Sequence, residues 1–349
     1  MRTTTGWQAA GPTELRRASL ERRDLRPDDI AVQVDYCGVC HTDLHALHAL
    51  HAYDRHTKAP LVPGHEFTGV VTGTGPEVTT FSVGDHVAVG NIVDSCGVCA
   101  MCEAGQENFC HSFPTLTYGG TDRQDGSTTL GGYSREYVVR EAFAYPLPSG
   151  LDPAAAAPLM CAGVTVWEPL RSLGVRPGSR VAVAGLGGLG HLAVKMAVAL
   201  GATTTVISRT QDKRDDARKL GAHDLIASTD TQQMATARDT FDVVIDTISA
   251  PHDLAPYLKL VAMDGTLSLL GYLGPVTVEA TDLLIGRKKL SSAGSGGRPA
   301  TAEMLQFCAD NSIAADIEVL PSSQVDTALD RLRRNDVRYR FVLDMSDLD

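Results

Sequence analysis

The chain changes texture near its middle. Up to about residue 153, short runs of alternating β-branched or apolar and polar residues at 30–36, 66–72, 85–89 and 133–139 are separated by Gly, Pro and Asp, the pattern of strands joined by turns. From residue 154 the period changes. Apolar runs at 180–184, 204–208, 225–227, 243–246 and 266–270 alternate with helical stretches at 189–200, 212–220 and 252–261. Such alternation predicts a parallel sheet covered by helices. A Gly-rich break at 294–299 precedes a helix near 302–309, a strand at 316–320, a helix at 324–333 and a strand at 338–343, a tail able to rejoin the first domain. The expected architecture is an α/β chain with a β-rich domain over 1–153, a doubly wound parallel-sheet domain over 154–295 and a return over 296–349. No internal repeat or long low-complexity tract interrupts it.

With 349 residues, 43% of them hydrophobic, each domain has the means to build its own core. The formal net charge of −11 argues against a broad basic surface for nucleic acid or anionic lipid and favours small-molecule chemistry. The opening MRTTTGWQAAGPTEL has no basic stretch followed by an apolar core, and no run approaches the roughly 20 apolar residues that cross a bilayer. The expected location is therefore the cytoplasm, with no membrane partner. In that reducing compartment clustered thiols point to metal binding or catalysis, not to disulfides.

The strongest local signal is Cys96-x2-Cys99-x2-Cys102-x7-Cys110. Four thiolates so close in sequence close a tetrahedral shell around Zn2+ with no open position, which predicts a structural zinc in a lobe over 90–112. That segment has little apolar content to order it otherwise. Cys40, His65 and Cys161 compose a second, Cys2His set whose fourth position is free for water or substrate. Taken singly, Cys161 also reads as a small buried hydrophobe and His65 as a structural histidine. Cys37 with Cys40 spells C-x-x-C, but a Cys40 that ligates metal does not act as a redox partner, leaving Cys37 as a strand-end residue. Cys308 reads as core.

The run Gly185-Leu186-Gly187-Gly188-Leu189-Gly190 contains G-x-G-x-x-G at Gly185, Gly187 and Gly190, placed between a strand and a helix. In that context glycines permit a tight turn, close approach of a pyrophosphate and helix packing. An NAD site ordinarily places Asp or Glu at the end of the next strand. Here Ser208 and Arg209 occupy that end, with Lys213 shortly after. A hydroxyl and cations suit a 2′-phosphate, so NADP(H) is the expected cofactor. The competing reading makes Arg209, Lys213 and Arg214 solvated charges at a helix start.

CGVCHTDLH from Cys37, VPGHEFTGVV from Val62, VGDHVAVG from Val83, the four-cysteine lobe, GGYSREYVV from Gly131, PLMCAGVTVWEPL from Pro158, GLGGLGHLAVKMA from Gly185 and DGTLSLLG from Asp264 run along most of the chain. Together they resemble the zinc-containing medium-chain dehydrogenase/reductase family, and within it the cinnamyl alcohol dehydrogenase branch. The resemblance implies a GroES-like catalytic domain with a Rossmann domain inserted into it. It assigns Cys40, His65 and Cys161 to a catalytic zinc, with Glu66 close enough to exchange as a ligand, and the four-cysteine lobe to a second zinc. Asp43 would orient His65, Thr42 and His45 would relay a proton, and His41 would neighbour the cofactor pyrophosphate. The implied reaction is hydride transfer between NADP(H) and an aldehyde or primary alcohol. A homodimer is implied through the Rossmann domain, where an apolar strand-like edge runs over 283–290.

Two segments depart from the family pattern. The stretch 45–56 is rich in histidine, so that His48 and His51 read either as helix-surface residues or as shapers of substrate access. The segment 294–298 is short, and Arg298 within it reads either as a determinant for a polar or acidic substrate or as a solvated charge. The resemblance would draw the branch's aromatic pocket from around Phe113, Leu116 and Tyr118, a pocket that these two departures leave unassigned. The rival reactions are an NADPH-dependent reductase of a conjugated C=C or C=N bond and, in another class, a non-catalytic zinc- and cofactor-binding protein.

Overall fold

The long strand Asp29–Val39, buried over most of its length, organises the first of two units, which comprises Met1–Cys161 and Gly296–Asp349. The structure is a computed structural model that describes every residue except 12–13, 52–58 and 273, and the side chain of His51. One edge of Asp29–Val39 pairs antiparallel with Phe67–Thr74, which continues to His86–Val89 and Ala144–Pro146. The other edge is shared. Residues 29–33 pair with Glu136–Arg140 and residues 36–39 with Arg340–Asp344, so the C-terminal tail completes this sheet. Ile317–Pro321 lies parallel to Arg340–Asp344, and the helix Val325–Arg333 supplies the crossover a parallel pair requires. Ile30, Val32, Val34, Phe67, Val87, Leu47, Phe341 and Leu343 share one core.

The N-terminal hairpin Arg2–Gly11 with Glu14–Arg22 has no counterpart among the strands expected from sequence. Its strands are rich in Thr and Arg and bury few apolar side chains, among them Leu15 and Leu20, so the hydrophobic alternation is faint. It is held partly by Arg22, which is buried, donates to the carbonyls of Leu130, Gly131 and Glu136, and lies over the Tyr137 ring.

The second unit, Ala162–Ser295, contains a six-stranded all-parallel sheet. Its spatial order is Asp224–Ala227, Thr203–Ser208, Arg180–Ala184, Phe241–Asp246, Val261–Leu269, Lys289–Ser292. In chain order this is 3-2-1-4-5-6, the doubly wound order of dinucleotide-binding sheets. Val181, Ala182, Val183 and Ala184 are all fully buried, as a strand covered on both faces requires.

Three details differ from the sequence expectation. The helix expected over 252–261 is the single turn Ala255–Leu258, and Val261 already opens a strand. The strand-like edge at 283–290 is the helix Ala280–Leu284 followed by the edge strand Lys289–Ser292, with Gly286 (φ +93°) and Arg287 (φ +50°) breaking the chain between them. Residues 154–161 fold with the first unit, because the Ala-rich turn Pro153–Ala156 and the following turn Ala157–Met160, with Leu159 and Met160 buried, pack on Asp29–Val39 and Phe67–Thr74.

Candidate active site and metal centres

Cys40 directly follows the long strand and stands at the N-cap of the helix His41–His51. Three residues on, Asp43 reaches back with Oδ2 to accept the Cys40 backbone N–H at 2.9 Å, while the Asp43 N–H donates to the Cys40 carbonyl at 3.1 Å. The same carboxylate, fully buried, accepts from Gly64 N at 3.2 Å and from Tyr133 OH at 3.1 Å, and lies 3.2 Å from His65 Nδ1. Gly64 has φ +95°, and a Cβ there would lie 2.7 Å from Tyr133 N and 2.9 Å from Cys37 Sγ, so glycine alone lets the turn deliver His65 to this point.

Asp43 fixes the ring by accepting from Nδ1–H, which leaves the Nε2 lone pair free to ligate. Burial opposes a charged His65, yet the adjacent Asp43 carboxylate outweighs it and raises the ring's pKa well above the ordinary value. His65 Nε2 lies 3.2 Å from Cys161 Sγ, and the donor atoms of Cys40, His65 and Cys161 all fall within 4.8 Å of one another. A hydrogen bond from Cys161 and the neighbouring His65 lower the Cys40 thiol well below its usual range, so the set favours a thiolate. Two sulfurs and one imidazole nitrogen are donors that suit Zn2+, and three of them leave a tetrahedral position open.

Glu66 is fully buried beside this set and pairs with the buried Arg340 guanidinium, while its Oε2 has no hydrogen-bond partner among the described residues. Burial raises the Glu66 carboxyl to about 7, against the pull of Arg340. A carboxylate oxygen orphaned next to a Cys2His set is the kind of group that a cation satisfies. The His65 ring also meets Tyr118 edge-on, 5.6 Å between centroids. Thr42 and His45 are exposed on the helix, and the Cys40 thiol lies 3.6 Å from Thr42 Oγ1.

The four-cysteine lobe is built differently. Cys96, Cys99, Cys102 and Cys110 again have their sulfurs within 4.8 Å, with Cys99 to Cys102 at 3.6 Å and Cys96 to Cys102 at 3.9 Å. A tetrahedron with Zn–S of about 2.3 Å has S···S edges of about 3.8 Å, so the sulfurs already stand at zinc-binding separation. The His111 N–H draws the Cys99 thiol down to about 6, while burial holds Cys102 up at about 11. Val98 and Phe109 of this lobe are exposed, which leaves the thiols as its organising centre. All eight cysteines are free; Cys37 and Cys308 are fully buried, and burial raises both thiols.

In the second unit, Gly185 to Gly190 connect the strand Arg180–Ala184 to the helix Gly190–Ala199. A Cβ on Gly190 would collide with the Gly185 carbonyl, whereas one on Gly187 would meet nothing within 4 Å. The first glycine of that pair serves packing and the second lies beside open space, where a phosphate needs close backbone approach. Lys213 Nζ donates to the Leu186 carbonyl at 2.9 Å, so the structure brings Lys213 to the glycine turn. Ser208 is half-buried at its strand end and Arg209 is exposed, whereas Arg214 is engaged by Asp224 at 3.0 Å.

Residues 26–149 match the alcohol dehydrogenase GroES-like domain and residues 188–310 match the zinc-binding dehydrogenase domain. An NADP-dependent alcohol dehydrogenase C of Mycolicibacterium smegmatis is 42% identical, covering 100% of this chain and 99% of its own. A cinnamyl alcohol dehydrogenase structure from Sorghum bicolor superposes with a TM-score of 0.94 at 42% identity over 98% of both chains. The CAD of Helicobacter pylori complexed with NADP(H) superposes with a TM-score of 0.90 at 32% identity over 99% of both chains. The chain belongs to the zinc-dependent medium-chain dehydrogenases, in their cinnamyl alcohol dehydrogenase-like branch.

Among features of this dehydrogenase that sequence reasoning missed, Arg340 and Tyr133 matter most. Arg340 opens the strand Arg340–Asp344, whose following Phe341, Val342 and Leu343 are fully buried, and a cation at the head of so apolar a strand is the available signal for a buried counter-charge. Arg298 is placed by Glu107: its backbone N–H donates to Glu107 Oε2 at 2.8 Å, and its guanidinium lies 3.7 Å from Oε1 and over the Phe143 ring. It is thus tied to the zinc lobe at the start of the helix Arg298–Asp310, with its side chain 46% exposed. Phe113 is 68% exposed, so of the aromatic positions Tyr118 is the one beside His65. His48 is exposed on the helix, whereas the His51 side chain and residues 52–58 lie outside the described residues.

The four contacts on Asp43 carry a prediction. Asp43→Asn weakens zinc retention at the Cys40, His65 and Cys161 set by about 10- to 100-fold, since a ligating imidazole loses the acceptor that orients it. Competition with a chelator reads this; retention equal to the parent protein's would show that Asp43 does not orient the ligand.

Proposed function

We propose that the protein is a zinc-dependent alcohol dehydrogenase and aldehyde reductase that transfers a hydride between NADP(H) and a primary alcohol or aldehyde. The convergence of Cys40, His65 and Cys161 around one point, with His65 held by buried Asp43, carries this reading. Zinc bound there supplies Lewis-acid polarisation of a carbonyl oxygen, and NADPH supplies the hydride. Every other task falls to the chain. Asp43 holds His65 in the ligating tautomer, and Arg340 balances Glu66, whose free Oε2 makes it the residue able to exchange as a ligand. Thr42 holds a proton on its hydroxyl beside Cys40, and exposed His45 passes protons between it and water. His41, partly withdrawn from solvent and kept neutral more readily by burial, neighbours the pyrophosphate. A second zinc is held by Cys96, Cys99, Cys102 and Cys110 and orders its lobe.

For the cofactor, Gly185, Leu186, Gly187, Gly188, Leu189 and Gly190 bind the pyrophosphate, and Ser208, Arg209 and Lys213 take the 2′-phosphate. Ser208→Asp therefore raises the Kd for NADPH by about thirtyfold, a like-charge cost of ~2 kcal/mol, and spares NADH. Fluorescence titration with both cofactors measures this, and an unchanged NADPH affinity would remove Ser208 from the phosphate site. Oxidation of NADPH by a saturated aldehyde tests the reaction itself, because a dedicated reductase of conjugated bonds leaves such a substrate untouched.

The chain works as a homodimer in the cytoplasm on this reading. The parallel sheet ends in the edge strand Lys289–Ser292, and Met263, Leu284 and Ile285 near it are 66%, 74% and 62% exposed, an apolar edge that a second copy would cover. Light scattering at twice 37.1 kDa supports the dimer and at 37.1 kDa rejects it. Among the described residues no helix is long and apolar enough to cross a membrane.

A further inference from the structure

The helix His41–His51 carries more imidazole than the reaction uses. His41, His45 and His48 are spaced four and then three residues apart, so at about 3.6 residues per turn they project from one stripe. Asp43, Leu44 and Leu47 are buried and turn the helix's other side to the core, which leaves His45 and His48 exposed. Among the described residues no hydrogen bond or ion pair engages either of those two rings.

Side chains three or four apart on a helix stand about 5–6 Å apart at Cβ, close enough for two imidazole nitrogens to meet on one cation. Ligands three apart on a helix, as in the Glu-x-x-His motif of di-iron bundles, hold metal elsewhere in protein chemistry. Imidazole suits zinc, copper and nickel, and a chain of net charge −11 raises the local concentration of any of them. We propose that His45 and His48 form an accessory chelate for one borderline divalent cation of this class, distinct from both cysteine centres. His41 and His48 are separated by about 10 Å of helix rise, so His41 is not a third ligand with His48. With two neutral ligands and the remaining positions left to water, the site binds exchangeably, unlike a closed thiolate shell.

The consequence for activity rests on the proton-relay role proposed for His45. A ring nitrogen that holds a cation neither accepts nor gives a proton, so occupation of the chelate slows turnover. The test uses the full chain carrying its two tightly held zinc ions, with Zn2+ alone as titrant, read by calorimetry and by NADPH oxidation. The expected result is one further zinc equivalent, bound about tenfold more weakly in His48→Gln, with H48Q keeping parental turnover when no zinc is added. Added zinc inhibits the parent and inhibits H48Q only at about tenfold higher concentration. His48→Asn repeats the measurement with a second isosteric amide. No further equivalent in the parent, or parental affinity in both variants, would overturn the site. Binding that weakens in both variants without any inhibition of the parent would uphold the chelate and overturn the relay role of His45.

Discussion

Cys161→Ser lowers kcat/KM for aldehyde reduction by at least ~10³-fold and leaves the Kd for NADPH unchanged. Polarisation by a Lewis acid is worth several kcal/mol, and each 1.4 kcal/mol or so is a factor of about ten in rate. A thiol gives up its proton to Zn2+ far more readily than a serine hydroxyl does, so in the variant only two ligands remain on a centre that needs three. The zinc content falls from about two per chain to about one, by loss from the Cys2His set alone. Serine is close to cysteine in size and follows the buried turn Ala157–Met160 without added bulk, and thermal unfolding by circular dichroism separates loss of metal from loss of fold. Turnover within tenfold of the parent's would place the chemistry elsewhere.

Cys102→Ser acts through folding. Cys102 is buried, 3.6 Å from Cys99 and 3.9 Å from Cys96, and the lobe around it exposes Val98 and Phe109 instead of burying them. Structural zinc contributes about 10–16 kcal/mol of apparent binding free energy in small zinc-organised peptides, so a lobe deprived of one thiolate loses most of what orders it. The expected outcome is one zinc fewer per chain, protease cleavage within 90–112, and a fall in soluble yield. Glu107 of the same lobe holds the start of the helix Arg298–Asp310, so loosening spreads to that helix. A Cys102→Ser protein that keeps two zinc ions and resists protease would show that the lobe folds without a closed thiolate shell.

Much of this molecule is legible in its sequence because single-period signals coincide with what the fold buries. The strand Arg180–Ala184, the glycine turn and the helix Gly190–Ala199 announce themselves because a strand covered on both faces must be continuously apolar and a pyrophosphate needs bare backbone. The four-cysteine lobe is equally plain, since all its ligands lie within one short segment. The catalytic set is not, for Cys161 stands 96 residues from His65 and no local period connects them; only the family resemblance of the surrounding motifs joins them. The apolar strand behind Arg340 marks a buried cation but does not name its partner, for Glu66 lies 274 residues away. The N-terminal hairpin is obscured because Thr- and Arg-rich strands carry little hydrophobic alternation to read.

If one zinc on Cys40, His65 and Cys161 makes this chain an aldehyde reductase, the decisive experiment is the rate of NADPH oxidation with a saturated aliphatic aldehyde, followed while that zinc is removed by a chelator and then restored. The expected rate falls in proportion to the zinc lost from this site and returns when zinc is added back. A rate that holds steady as the site empties, or that never exceeds the protein-free blank when it is full, would contradict it.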